Sequence, residues 1–96
     1  MSDDALYLLL QSLGAQVLEG RMNPTGTVAI LMSETLKFRD KLRSETGMIL
    51  TVDDTRLALD GLESLMNEKE LPSGLTSEQR TLAQIWFDRL TLFNKK

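Results

Sequence analysis

Hydrophobic residues recur every three or four positions along most of this chain, and helix-terminating residues divide the pattern into four segments. This spacing places apolar side chains along one side of an α-helix, whereas the strict alternation that is typical of a half-buried strand is missing. The pattern therefore predicts an all-α protein, a compact bundle of about four helices over residues 3–19, 24–46, 52–69 and 77–93.

The boundaries of the first two segments are predicted from capping residues. Ser2 precedes the first segment, and Asn23 followed by Pro24 opens the second. An Asn side chain accepts hydrogen bonds from the free backbone N–H groups of a helix, and proline fits the first helical position. Gly20 and Gly47 are expected to end these two helices, because glycine readily adopts the left-handed backbone that terminates a helix.

The third and fourth segments each begin with a predicted capping box, in which two side chains and two backbone N–H groups bond reciprocally. These boxes are Thr51–Asp54 and Thr76–Gln79. The sequence LPSG at 71–74 predicts a break between the two helices. The apolar run at 48–50 is too short for a helix, so it is either a buried extended segment or an apolar lead-in to the Thr51 cap.

The first and fourth segments carry more apolar surface than an outer helix requires. In the fourth, apolar side chains cover about 220° of the circumference, whereas a stripe of roughly 100° or more is enough for one face on a core. Either this helix is a central element surrounded by the other three, or part of its surface contacts another chain. We expect the aromatic side chains to serve the core first and an interface second. The residues predicted to reach a partner are Trp86, Phe87, Leu90 and Phe93, with Leu8 from the first helix.

Arg39 is the sixth residue predicted to take part in an interaction. It falls in the middle of the apolar stripe of the second helix. Its aliphatic stem would pack on apolar surface while the guanidinium group reaches water. In the alternative, the guanidinium binds an acid of another subunit, for which Asp53, Asp60 and Glu63 are the candidates.

Composition narrows the chemistry that the chain can perform. Its 96 residues fit a single domain, 1–96, and include neither cysteine nor histidine. The chain therefore lacks thiolate ligands, disulfides and the usual neutral-pH acid–base residue. No serine has a histidine to activate it, and residues 53–60 lack the ligand order of a calcium loop. We predict no catalytic residues, no metal site and no cofactor, and hence a protein that is not an enzyme.

The charge distribution argues against nucleic acid as a partner, and the shortness of the apolar runs argues against a membrane. The net charge is −3, and the basic residues are scattered rather than clustered, as phosphate binding would require. The best residues for nucleic acid would be Arg80, Arg89, Lys95 and Lys96. The apolar run at 5–10 is far shorter than the roughly 20 residues of a membrane span. A cytoplasmic location is expected.

These observations predict a small regulator, inhibitor or assembly factor that binds another protein and self-associates as a dimer or higher oligomer. Two alternatives remain open at this point. One is a nucleic-acid-binding accessory protein, and the other is a helical oligomer that binds a small ligand in a cavity between its helices.

Overall fold

Four helices make up the computed structural model, which describes residues 3–17 and 23–94: α1 (Asp3–Val17), α2 (Pro24–Thr46), α3 (Val52–Met66) and α4 (Ser77–Asn94). Within these ranges no residue lies in a strand, and the all-α prediction is confirmed. The predicted bounds of α2 are the observed ones, and α4 ends one residue later than predicted. The predicted caps Ser2 and Gly20 lie outside the described residues.

The capping residues of α2 act as their sequence predicts. The Asn23 side chain accepts hydrogen bonds from the backbone N–H groups of Thr25 at 2.8 Å and Gly26 at 3.1 Å. At the other end, Gly47 has a φ of 75°, and its N–H donates to the carbonyl oxygen of Arg43 at 3.0 Å. The left-handed backbone of Gly47 therefore terminates α2 and turns the chain toward α3.

Helix α3 ends at Met66, three residues before its predicted end, so that boundary is wrong. Glu68 has a φ of 57°, which is the left-handed conformation. The N–H of Lys69 donates to the carbonyl oxygen of Ser64 at 2.8 Å. The N–H of Glu68 donates to the carbonyl oxygen of Leu65 at 3.3 Å. This is the hydrogen-bond pattern of a Schellman motif, with glutamate in the position where glycine is usual. The sequence prediction missed the end because no glycine marks it.

The four helices form a ring in the order α1, α2, α4, α3, because each helix makes its extensive contacts with its two neighbours in that order. Helices α1 and α4 are therefore diagonal to each other, as are α2 and α3. The prediction that helix four could be a central element is not met, since α4 packs extensively against α2 and α3 but not against α1.

Helices α3 and α4 pack closely against each other. Near the start of both helices, the Gln79 side-chain amide donates to the Asp54 carboxylate at 3.0 Å. Further along both, a Cβ added at Gly61 would lie 3.0 Å from the Cβ of Ala83.

A continuous hydrophobic core fills the ring. The radius of gyration of the Cα atoms is 12.5 Å, which is the value expected for a compact chain of this length. Close helix approach depends on Gly14 of α1, where an added Cβ would come within 2.6 Å of the Leu31 side chain of α2. The apolar side chains that are at most 2% exposed are Leu10, Val28, Leu31, Ala58, Leu59, Leu62, Leu82, Ala83, Trp86 and Leu90.

Candidate interaction surface

Trp86, one of the residues predicted to reach a partner, is wholly buried in the core. Its indole N–H donates to the hydroxyl oxygen of Thr35 on α2 at 3.1 Å, and the Thr35 hydroxyl donates to the carbonyl oxygen of Leu31. This arrangement satisfies the polar atom of the indole inside the core. Leu90 is only 1% exposed. Trp86 and Leu90 therefore have no surface to offer another chain, and their proposed contact with a partner is replaced by a role in the core.

The remaining predicted residues lie in different environments. Phe87 is partly buried and packs against the core, whereas Leu8 is 63% exposed on α1. Arg39 keeps only 21% of its side chain exposed, and its Nε lies 3.9 Å from the Asp40 carboxylate on the same helix. The side chain of Phe93 lies outside what the structure describes. Of the six predicted residues, the structure thus assigns only Leu8 clearly to the surface.

Large apolar side chains nevertheless remain exposed in the described part of the chain. Leu8 on α1 and Leu92 on α4 are 63% and 62% exposed. Because α1 and α4 are diagonal in the ring, these two side chains belong to separate places rather than to one shared surface. The exposed large apolar residues are Tyr7, Leu8, Met48, Ile49, Leu57 and Leu92.

The connector of residues 47–51 contributes two adjacent members of this set. Met48 is 45% exposed and Ile49 is 63% exposed, whereas the next residue, Leu50, is buried at 9%. Both predictions for the 48–50 run were therefore incomplete, because only Leu50 acts as the buried lead-in to the helix cap. The sequence carries no local signal for this exposure, because a short uncharged apolar run is equally typical of a buried segment.

Hydrogen bonds fix the connector at both ends. The N–H of Met48 donates to the hydroxyl oxygen of Thr46 at 3.1 Å. At the start of α3, the Thr51 N–H donates to the Asp54 carboxylate at 3.0 Å, and the Asp54 N–H donates to the Thr51 hydroxyl at 3.1 Å. The capping box is thus present as predicted. Met48 and Ile49 therefore lie on a segment whose backbone loses little conformational freedom when a partner binds. This lowers the entropic cost of binding.

A groove of about 220 Å³ lies beside the connector, between the end of α2 and the start of α4. Phe38 and Leu42 contribute apolar surface, with 9% and 6% of their area exposed. The volume is below the roughly 300–1,000 Å³ that is typical of small-molecule sites. The lining residues are Phe38, Lys41, Leu42, Glu45, Thr46, Ser77, Glu78 and Thr81.

A second groove, of about 240 Å³, separates α1 from α3 and contains two of the acids considered as partners for Arg39. Asp60 and Glu63 line it together with Arg56, Leu13 and Leu59. In the described ranges, these charged side chains form no ion pair and no cluster of acids is arranged to hold a metal ion.

Of the basic residues considered for nucleic acid, the structure describes Arg80 and Arg89. The Nε of Arg89 lies 3.3 Å from the Oε1 of Glu34 on α2, and the Nζ of Lys37 lies 3.7 Å from the same oxygen. Arg80 is exposed on α4, and Lys95 and Lys96 lie outside the described residues. Among the helices that the structure describes, none has the length and apolar character needed to cross a membrane.

No protein-family model, no curated protein and no solved structure matches this chain.

Proposed function

We propose that this protein acts by binding protein chains, and that a second copy of itself is one of them. The observation that carries this proposal is the exposure of large apolar side chains, three of which are more than 60% exposed among the described residues. These are Leu8, Ile49 and Leu92.

Burial of such side chains supplies the free energy for association. Apolar surface that leaves water contributes about 25 cal/mol per Å², so each exposed side chain that a partner covers adds a useful fraction of the binding energy. Ile49 and Met48 are suitable anchors because they are adjacent and held on a connector whose ends are hydrogen-bonded. A chain of this kind would regulate, inhibit or help to assemble its partner by occupying the partner's surface.

The experiment compares two variants that carry the same added charge. In the first, Leu8, Ile49 and Leu92 are all replaced by aspartate, which removes exposed apolar surface. In the control, the exposed residues Gln11, Ser33 and Ser44 are replaced by aspartate, which adds three charges and leaves the apolar side chains in place.

Light scattering over a concentration series gives the mass of each protein. We expect the wild type and the control variant to rise above 10.8 kDa, and the apolar-to-aspartate variant to stay at that mass. A wild type that remains at 10.8 kDa up to about 0.5 mM, where even an association in the 0.1 mM range would be populated, contradicts self-association.

A further inference from the structure

We propose that self-association forms a two-fold symmetric dimer, in which Met48 and Ile49 of each copy insert into the α2–α4 groove of the other. This inference rests on the proposed function and names the surface through which two copies meet. The groove and the connector adjoin, because Glu45 and Thr46 line the groove and the connector begins at Gly47.

A protruding apolar segment next to a groove makes this region self-complementary. Rotation by 180° about an axis between the two features brings the connector of each copy over the groove of the other. The same contact is then made twice, and the assembly closes at two copies. A contact between different surfaces would instead continue into a ring or a filament.

The volume of the groove suits the side chains that would enter it. A cavity of about 150 Å³ holds a benzene ring, which has six carbon atoms. The groove of about 220 Å³ therefore has room for the four-carbon side chain of Ile49 and for part of Met48. Phe38 and Leu42 supply the apolar surface that these side chains would contact.

The inserted connector brings no charged group of its own into the groove, whose walls already carry Lys41, Glu45 and Glu78. Residues 46–52 carry no charge, and a buried ion would impose a desolvation penalty that a small interface does not recover. The hydroxyl groups of Ser77 and Thr81 line the groove and can bond to polar backbone groups of the incoming segment.

The surrounding charges favour one orientation of the two copies. The α4 wall of the groove carries Glu78, whereas the α2 wall carries Lys41 and Glu45, whose charges offset each other. Arg43 lies in the last turn of α2, immediately before the connector. In the described part of the chain neither Arg43 nor Glu78 forms an ion pair, so each can pair with the other residue on the second copy.

Two connectors and two grooves make a small interface. Such a contact buries less than about 1,200 Å² in total, which is the range of weak and transient complexes. We therefore expect a dissociation constant in the micromolar range, and a dimer that appears as the protein concentration rises.

The first experiment measures the dimer dissociation constant by sedimentation equilibrium for the full chain and two matched variants. Ile49→Asp places a charge in the proposed contact, and Leu92→Asp places one at a residue of nearly equal exposure, 62% against 63%. We expect Ile49→Asp to raise the dissociation constant by at least about 100-fold, because each dimer contains the change twice, and Leu92→Asp to change it by less than about twofold. Circular dichroism checks the folding of each variant, and Ile49→Ser supplies an uncharged second test.

The second experiment reverses the charges of the proposed ion pair. Arg43→Glu and Glu78→Arg should each weaken the dimer about tenfold, because each places like charges opposite one another. An equimolar mixture of the two variants should recover a dimer, since both contacts in the mixed dimer then join opposite charges. A loss caused by misfolding would not be recovered by mixing.

The results separate this inference from the proposed function. Dimers that persist with Ile49→Asp, or a mixture that stays dissociated, overturn the connector-in-groove contact while association through another surface still stands. A wild-type mass of 10.8 kDa at every concentration overturns both. A twofold mass with loss in Ile49→Asp and recovery on mixing supports the inference.

Discussion

The two connectors that flank α3 both carry apolar residues, but only one of them leaves large apolar side chains exposed. In the connector of residues 47–51, Met48 and Ile49 are exposed. In the connector of residues 67–76, Leu75 is only 8% exposed and Leu71 is partly buried. The difference shows that apolar content alone does not decide whether a connector joins the core, because the surface beneath it must also accept the side chains.

Gly61 of α3 provides that surface for the second connector. A Cβ added at Gly61 would lie 3.0 Å from the Leu75 side chain and 3.5 Å from that of Leu71. The missing side chain leaves the space that these leucines occupy. The first connector crosses between α2 and α3, which are diagonal in the ring and share no extensive contact among the described residues. Its apolar pair is therefore left exposed.

The difference between the two connectors is tested most directly by replacing one buried and one exposed connector residue with alanine. Leu75→Ala should lower the free energy of unfolding by about 3 kcal/mol, because it removes buried apolar atoms and leaves a cavity. Ile49→Ala should change it by less than about 0.5 kcal/mol, since the side chain is largely exposed. Urea unfolding, at a concentration where the chain is monomeric, measures both. Equal losses would show that the two connectors are packed alike.

Filling the space at Gly61 should have the next largest effect. Gly61→Leu would press on Ala83 and Leu75 and displace the second connector, at a cost of about 2 kcal/mol. Gly74→Leu is the matched control, because nothing lies within 4 Å of a Cβ added there. Urea unfolding should show the control within about 0.5 kcal/mol of the wild type. If Gly61→Leu is equally mild, the close packing of the connector on α3 is not what buries Leu75.

The sequence predicted the helices well because their ends carry local signals. Asn23, Gly47 and the two capping boxes act through hydrogen bonds between residues at most four positions apart, so they can be recognised without knowledge of the fold. The end of α3 was missed because Glu68 occupies a conformation that its residue type does not predict.

The candidate surface was harder to predict because exposure depends on which helices are neighbours. Tryptophan is a residue type that is common at interface hot spots. The indole of Trp86 nevertheless bonds to Thr35 in the core, 51 positions away. A helical wheel gives the apolar circumference of α4 but not how much of it α2 and α3 cover. Leu8 could be predicted as a surface residue because it lies outside the apolar stripe of its own helix. Met48 and Ile49 belong to no helix, so helical periodicity gives no prediction of their exposure.

The smallest expected effects come from the left-handed residue in each connector. Glu68→Gly should stabilise the fold by about 0.5 kcal/mol, because glycine relieves a left-handed cost of about 1 kcal/mol but loses more backbone entropy on folding. Gly47→Ala should destabilise it by about 1 kcal/mol, and strain alone is responsible, since nothing lies within 4 Å of the added Cβ. The two substitutions exchange residues in opposite directions at equivalent sites, so midpoints of urea unfolding should shift in opposite directions. A shift of the same sign in both would show that left-handed strain does not decide the stability at these two positions.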